Sequence, residues 1–382
     1  MRHVKAAILG AGFIGRAHVE ALRRLGYVDV VAIGQSNQAK AERYANELGV
    51  PKAYGNYMEL LQDNEIEVIH NCTPNHLHYE INRQALLHGK HLLSEKPLTL
   101  TSAEAKELYE LAASASLITG LNYNYRQFPM VQHLKGMVKD EDLGRVNLIR
   151  GSYLQDWLLH ETDYNWRMEP RYGGTTRAIS DIGSHLFDLV QYITGLRFSE
   201  VLADSSIVWP TRYRSSVAKE SFQRRAEGEL EPVDIVTEDY CSVLVKFAGG
   251  ARGVFTVSQV SPGNKNALEV HIDGGKASGS WKQEEPFLLH LGYRDRASER
   301  LVRDPGLLKK DALPFLHYPG GHEEGWTDSL KNMMHNFYRA IGSGAPLSDS
   351  VATFKDGYQT MLINDAIVRS IQSGSWEKID NV

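Results

Sequence analysis

Val4-Lys5-Ala6-Ala7-Ile8-Leu9-Gly10-Ala11-Gly12-Phe13-Ile14-Gly15 decides how this chain folds. Val4 to Leu9 is an apolar strand, the three glycines follow with spacing GxGxxG, and a helix continues to about Leu25 before Gly26 stops it. Gly10 permits a tight turn, Gly12 lets a pyrophosphate approach the backbone, and Gly15 lets helix and strand pack closely. The helix start offers free N–H groups and the positive end of its dipole to phosphates. A lone GxGxxG is a weak signal. Placed after an N-terminal strand and before a second one, Val28 to Ile33, it specifies a dinucleotide site.

Working outward, strand and helix patterns alternate. Helices are expected at Gln38 to Leu48, Met58 to Gln62, from the Thr73-Pro74-Asn75-His76 loop to His88, and from near Ser102. Strands are expected at Ile66 to Asn71, His91 to Ser94 and Leu117 to Leu121. Such alternation implies a parallel sheet with right-handed crossovers, and ligands then bind beyond the carboxyl ends of its strands. Gly10–Gly15, Thr73–His76, Lys96 and Asn122–Arg126 all lie at those ends. Cofactor choice stays open. Where an acidic residue normally meets the adenosine ribose stands Gln35, followed by Ser36, with no arginine for a 2′-phosphate and Lys40 nearby.

The strand His91-Leu92-Leu93-Ser94 ends in Glu95-Lys96-Pro97. An ammonium at the inner end of a buried strand needs a task, and Pro97 sets where Lys96 points.

Length and composition set the bounds. A chain of 382 residues is too long for one ordinary core, so two domains are expected, 1–125 and 126–382. A net charge of -5 argues against a nucleic-acid partner. Two cysteines imply no disulfide framework and fit a reducing cytoplasm. The sequence shows no signal peptide and no apolar run of about 18 residues that would span a membrane.

Beyond about Arg126 the pattern becomes one of long consecutive strands: Val146 to Trp157, Ser199 to Trp209, Asp239 to Phe247, Ala251 to Val260 and Leu268 to Asp273. Ala248-Gly249-Gly250 and Gly274-Gly275 signal hairpins, so this half is read as a mostly antiparallel sheet with one covered face. Thr211 to Pro232 reads as a charged, strand-poor exposed loop, and 295–320 as a second excursion. Helices are expected at Gly325 to Ile341 and Val351 to Ile371. The informative stretch is Gly173-Gly174-Thr175-Thr176-Arg177-Ala178-Ile179-Ser180-Asp181-Ile182-Gly183-Ser184-His185. A helix from near Ser180 places Asp181, His185 and Asp188 on one face, with the aspartate one turn before the histidine. Alone, that pattern describes a capped helix with a hydrogen-bonded histidine; beside Lys96 it reads as catalytic.

Gly10–Gly15, Cys72-Thr73-Pro74-Asn75-His76-Leu77-His78, Gly89 to Leu98 and Gly173 to Val190 resemble, in order, the signatures of the glucose–fructose oxidoreductase / inositol dehydrogenase (Gfo/Idh/MocA) family. The resemblance is weakest over 211–235 and 280–320. It implies a doubly wound Rossmann α/β domain, then an α+β domain whose large, mostly antiparallel sheet binds substrate and packs subunits into dimers or tetramers. The implied chemistry is hydride transfer between NAD or NADP and a secondary alcohol of a sugar or polyol.

Carried over by residue, Lys96, Asp181 and His185 form the catalytic set. Hydride removal from an alcohol carbon also requires loss of the hydroxyl proton, which suits an imidazole base. Asp181 orients it or the substrate, and Lys96 bonds the reacting oxygen. Gly10, Gly12, Phe13, Ile14, Gly15, Gln35, Ser36, Thr73, Pro74, Asn75, His78, Glu95, Lys96, Asn122, Trp166 and Arg167 are assigned to the cofactor. Tyr125, Arg126, Tyr153, Asp156 and Trp157 join Lys96, Asp181 and His185 against the substrate. No Lys or Arg cluster marks a phosphorylated substrate, and the fifteen histidines show no zinc spacing, so no metal is expected. His317 and His322 are placed on a lid. Two rival functions share these features: a glycosidase using NAD for transient sugar oxidation, and a non-catalytic sensor of nucleotide or sugar.

Overall fold

The computed structural model describes residues 2–216 and 228–382. Its first elements are β1 (Val4–Leu9), α1 (Phe13–Arg23), β2 (Val28–Gly34), α2 (Gln38–Leu48), β3 (Lys52–Tyr54), α3 (Tyr57–Gln62) and β4 (Val68–Asn71). Then follow α4 (His78–Leu87), β5 (His91–Ser94), α5 (Ser102–Ser114) and β6 (Thr119–Leu121). Local chemistry sets many of the ends. Asn37 and Asn56 cap α2 and α3, Thr101 and Glu104 form a reciprocal capping box on α5, and Gly49 closes α2 in the left-handed region.

Among the described residues, β1 to β6 form one parallel sheet in the order β3-β2-β1-β4-β5-β6. The chain winds outward from β1 to β3, then restarts at β4 on the other side of β1. That reversal opens a crevice at the carboxyl ends of β1 and β4, the place where a doubly wound sheet takes its ligand. Strand β3 is short and half-buried, which is why hydrophobic patterning misses it.

The chain divides into two compact units, Met1–Asn124 with Trp326–Met361, and Tyr125–Gly325 with Leu362–Val382. A second half running unbroken to residue 382 is therefore corrected. The helix α9 (Trp326–Ser343) belongs to the first unit, and the second boundary falls inside α10 (Phe354–Ser373). Leu330, Met333, Met334, Phe337 and Tyr338 make a helical stripe that packs with Val19 and Leu22 of α1 and Ala6 and Ile8 of β1. Ala7 and Leu9 face the opposite core with Ile81, Ala85 and Leu108. No local signal in α9 names the core it joins; only packing does.

The other unit holds α6 (Pro129–Lys139), β7 (Val146–Leu154), α7 (Pro170–Gly173), α8 (Ser184–Thr194), β8 (Phe198–Ser206), β9 (Thr211–Ser215), β10 (Leu230–Asp234), β11 (Tyr240–Phe247) and β12 (Arg252–Ser258). It continues through β13 (Ala267–Gly274), β14 (Ser278–Lys282), β15 (Leu288–Gly292), β16 (Glu299–Val302) and, last, β17 (Glu377–Lys378). Its described sheet runs β16-β15-β14-β13-β7-β12-β11-β8-β17, antiparallel except where β12 lies parallel to β7. That one parallel pair places the carboxyl ends of β7 and β12 side by side. Phe187 of α8 packs on Phe198 and Phe255, covering one face of the sheet.

One expectation about this unit is corrected here. The segment read as a strand-poor exposed loop forms the antiparallel pair β9–β10, and Arg212 in it is fully buried; residues 217–227 of that segment lie outside the described residues. Ahead of β7, Pro129 opens α6, whose Met130, Val131, Leu134 and Met137 are buried.

Candidate functional site

In the first unit, Gly10 and Gly15 are glycines for want of room. A Cβ on Gly10, which also has φ +87°, would lie 2.5 Å from the Cys72 carbonyl oxygen, and one on Gly15 only 2.0 Å from that of Gly10. Gly12 is different, since a Cβ there would meet no protein atom within 4 Å. The turn thus leaves an open space directly over the start of α1, whose first N–H groups have no side-chain cap. Open space and uncapped donors fit a pyrophosphate. Phe13 is 61% exposed and stacks on Trp326 with ring centroids 6.0 Å apart, an apolar wall beside that space. Gln35 is half-buried after β2 and Ser36 is exposed, both in reach of solvent.

Across the crevice, hydrogen bonds tie the ends of β4 and β5 together. Asn71 accepts from the Thr73 hydroxyl at 2.7 Å and donates to Asn82 at 2.8 Å, and Asn82 donates to Ser94 at 2.9 Å. The fully buried His78 ring lies 2.7 Å from the Pro97 carbonyl and 2.8 Å from that of Thr73. His78, which the sequence reading assigned to the cofactor, here braces two loops. Burial pulls its imidazole below the usual value, against the pull of those two carbonyls and of Glu95. Pro74 is exposed and Asn75 buried beside it, while Lys96 is half-buried and followed by a cis Lys96–Pro97 peptide. Burial opposes the charge on Glu95, yet His18, Asn122 and Lys96 together hold its carboxyl below the ordinary value. Asn122 donates to Glu95 Oε1 at 2.5 Å.

In the second unit, residues 179–183 form a π-helical turn that runs into α8, so Asp181 sits on a widened turn and His185 in the first turn of the α-helix that follows. Such turns recur at functional sites. Asp181 accepts from Gln259 at 3.0 Å and lies 3.6 Å from the Arg167 Nε. Arg167 in turn stacks on Trp166 at 4.5 Å. His185 is buried, with the Tyr125 ring edge-on at 4.8 Å and that of Tyr153 at 6.3 Å. The two phenols bond each other at 2.8 Å, and Asn266 accepts from Tyr153 at 2.6 Å and donates to Tyr125 at 2.9 Å. Burial pushes both phenols above the ordinary tyrosine value, so neither serves as a base near neutral pH. The structure thus gathers Asp181, His185, Arg167, Tyr125 and Tyr153.

It does not gather all the rest. Arg126 is buried against Asp188, its Nε 2.8 Å from the carboxylate, and stacks on Tyr192. This pairing shows Arg126 in a structural ion pair, where the sequence reading set it against the substrate. Asp156 pairs with Lys265, and the Trp157 indole donates to Gln155 at 2.9 Å while packing against the small core of Leu158, Met168 and Ile235. His317 and His322 are exposed on their segment, where the buried Arg303–Glu324 pair holds the carbonyls of Tyr318 and His322.

Sequence reasoning missed the frame under this site. Glu238 accepts from the backbone N–H of Arg177 and of Ile179, both at 2.9 Å, at the start of the turn that carries Asp181. Next to it, the fully buried Asp239 binds both Arg177 and Arg212. Arg212 donates to the carbonyls of Leu158, His160 and Asp163, so one aspartate joins the loop after β7 to the lead-in of α8. Gln259 was also missed. Its position just past β12, beside the end of β7, was the available signal.

Residues 4–123 match the model of an oxidoreductase family with an NAD-binding Rossmann fold, and residues 131–278 match the GFO/IDH/MocA C-terminal domain. The chain is 30% identical to the levoglucosan dehydrogenase of Pseudarthrobacter phenanthrenivorans, with all of both chains covered. The chain belongs to the Gfo/Idh/MocA oxidoreductase family. Within the Gfo/Idh/MocA family it is also 31% identical to the glucose-6-phosphate 3-dehydrogenase of Bacillus subtilis, over 93% of each. The structure of levoglucosan dehydrogenase in complex with NADH and levoglucosan superposes with a TM-score of 0.89 over the whole of both chains, at 26% identity. Like these Gfo/Idh/MocA relatives, it is an NAD(P)-dependent dehydrogenase, and its residues 4–123 make up the NAD-binding Rossmann fold. Among the described residues, no helix is long and apolar enough to cross a membrane.

Proposed function

We propose that this dehydrogenase acts on a secondary hydroxyl of an unphosphorylated sugar, anhydrosugar or inositol, with Lys96, Asp181 and His185 as its chemical set. Nicotinamide, when bound, takes up or returns the hydride. His185 removes the proton of the reacting hydroxyl, Lys96 donates a hydrogen bond to that oxygen as negative charge develops, and Asp181 orients the imidazole or a neighbouring hydroxyl. The buried tyrosines and Asn266 form the polar, aromatic wall that a sugar ring favours.

The observation that carries the choice of a neutral substrate is charge pairing. In the second unit Arg126, Arg167 and Lys265 each face a carboxylate, Asp188, Asp181 and Asp156, while Lys96 is assigned to the reacting oxygen. A phosphate dianion needs cations not already matched. The relative that binds levoglucosan supports the same class. Assembly into dimers or tetramers belongs to this proposal, and light scattering tests it.

The test is a panel of levoglucosan, free hexoses, inositols and glucose 6-phosphate with NAD and NADP separately, followed by absorbance of the reduced cofactor. Turnover of unphosphorylated compounds is expected. Glucose 6-phosphate with the highest kcat/KM would overturn the substrate class, and sugar release without net cofactor reduction would favour a glycosidase.

A further inference from the structure

Beneath the crevice, the first unit buries a row of titratable side chains that the chemistry above does not use. Tyr338 of α9 lies 2.7 Å from His70 Nε2, His70 Nδ1 lies 2.9 Å from His18 Nδ1, and His18 Nε2 lies 3.0 Å from Glu95 Oε1. Tyr338, His70 and His18 have no solvent exposure, and Glu95 has 6%. Cys72 Sγ is 3.3 Å from His18 Nδ1.

One proton fixes the direction of the whole row. A buried phenol must give its hydrogen to an acceptor, and the acceptor at Tyr338 is His70 Nε2. That nitrogen is then bare, so the His70 proton sits on Nδ1 and is donated to His18 Nδ1. His18 must in turn carry its proton on Nε2, aimed at Glu95. Burial, with the neighbouring His18 ring, holds His70 well below the ordinary histidine value, in keeping with a neutral ring. Burial likewise raises the Cys72 thiol, leaving it an S–H donor. With Asn122 donating to the same oxygen at 2.5 Å, Glu95 Oε1 receives two N–H groups, and a proton placed there would oppose both.

We infer that His18 is a positioning residue, the last link of a one-way hydrogen-bond chain from Tyr338 through His70 that locks Glu95 as a carboxylate beside Lys96. The inference rests on the dehydrogenase function proposed above, in which Lys96 faces the reacting oxygen. The chain ends in the core at a fully buried phenol, so it is no route for protons to solvent; its output is the fixed charge on Glu95. That charge lies beside Lys96, whose own charge in turn helps to hold the Glu95 carboxyl ionised. The groups facing Glu95 are His18 from α1, Cys72 after β4, His78 from α4, Asn122 after β6, and Lys96 itself.

The test is a titration of Glu95 by carboxyl-carbon NMR with labelled glutamate, assigned with Glu95→Gln, on the full chain. His18→Leu is expected to raise the Glu95 midpoint by about one pH unit or more. His18→Gln, which both donates and accepts at matching positions, is expected to restore it. Should His18→Leu fail to fold, His18→Asn, polar but too short to bridge both partners, is read in its place with the same expected rise. A midpoint in the leucine or asparagine variant equal to that of the unaltered protein overturns the inference. The acid limb of kcat/KM, measured with levoglucosan and NAD, is expected to move up with Glu95. A moved midpoint with an unmoved limb would leave the chain of bonds standing and remove Lys96 and Glu95 from the chemistry.

Discussion

Arg212 and Asp239 form a fully buried ion pair, 2.6 Å apart, inside a stretch whose composition reads as surface loop. Asp239 also holds Arg177, so a single carboxylate compensates two guanidiniums and fixes the loop after β7 against the lead-in to His185. Asp239→Asn leaves both cations unmatched in the core. The expected cost is about 3–5 kcal/mol, the range for breaking a buried pair, read as a lower urea midpoint with an unchanged slope.

Glu238 predicts a pH dependence of opposite sign to most carboxylates. Burial raises its carboxyl above the ordinary value, outweighing the N–H groups and Arg177 that pull it down. Its favourable contribution is therefore fully present below the ordinary glutamate range and is lost as pH rises through its folded value. Glu238→Gln keeps an acceptor for the two N–H groups and removes the charge. Relative to the unaltered protein, the variant is expected to gain stability steadily from pH 4 toward neutrality in urea titrations.

Gly10 and Gly12 separate folding from cofactor binding. Gly10→Ala meets the Cys72 carbonyl at 2.5 Å with φ +87°, and is expected to destabilise the unit by about 1–2 kcal/mol or more. Gly12→Ala meets no protein atom, so the melting temperature is expected to stay in place. Its methyl instead enters the space assigned to the pyrophosphate. NADH affinity, measured by fluorescence, is expected to fall on the order of tenfold, the effect of about 1.4 kcal/mol.

Lys96→Ala and His185→Ala are each expected to lower kcat by about a hundred- to ten-thousand-fold while NADH still binds. Calorimetry with NADH and single-turnover rates separate the two effects. Full activity in either variant would remove that residue from the proposed set.

The α/β character, the dinucleotide turn and the order of elements in the first unit were legible in the sequence, because each rests on contacts within about thirty residues. Strand composition, GxGxxG spacing and caps such as Asn37 act on their own neighbourhood. Lys96 and the Asp181–His185 pair lie in motifs contiguous along the chain, and the catalytic role read from them belongs to the proposal above. Only the tertiary structure decided that α9 joins the first core, that His78 braces two loops, that Arg126 is spent on Asp188, and that Glu238 and Asp239 frame the turn before α8. Those assignments depend on which partner reaches a charge or an apolar stripe across tens to hundreds of residues. Local patterning shows that a side chain will be buried; which partner it meets there is settled when the whole chain packs.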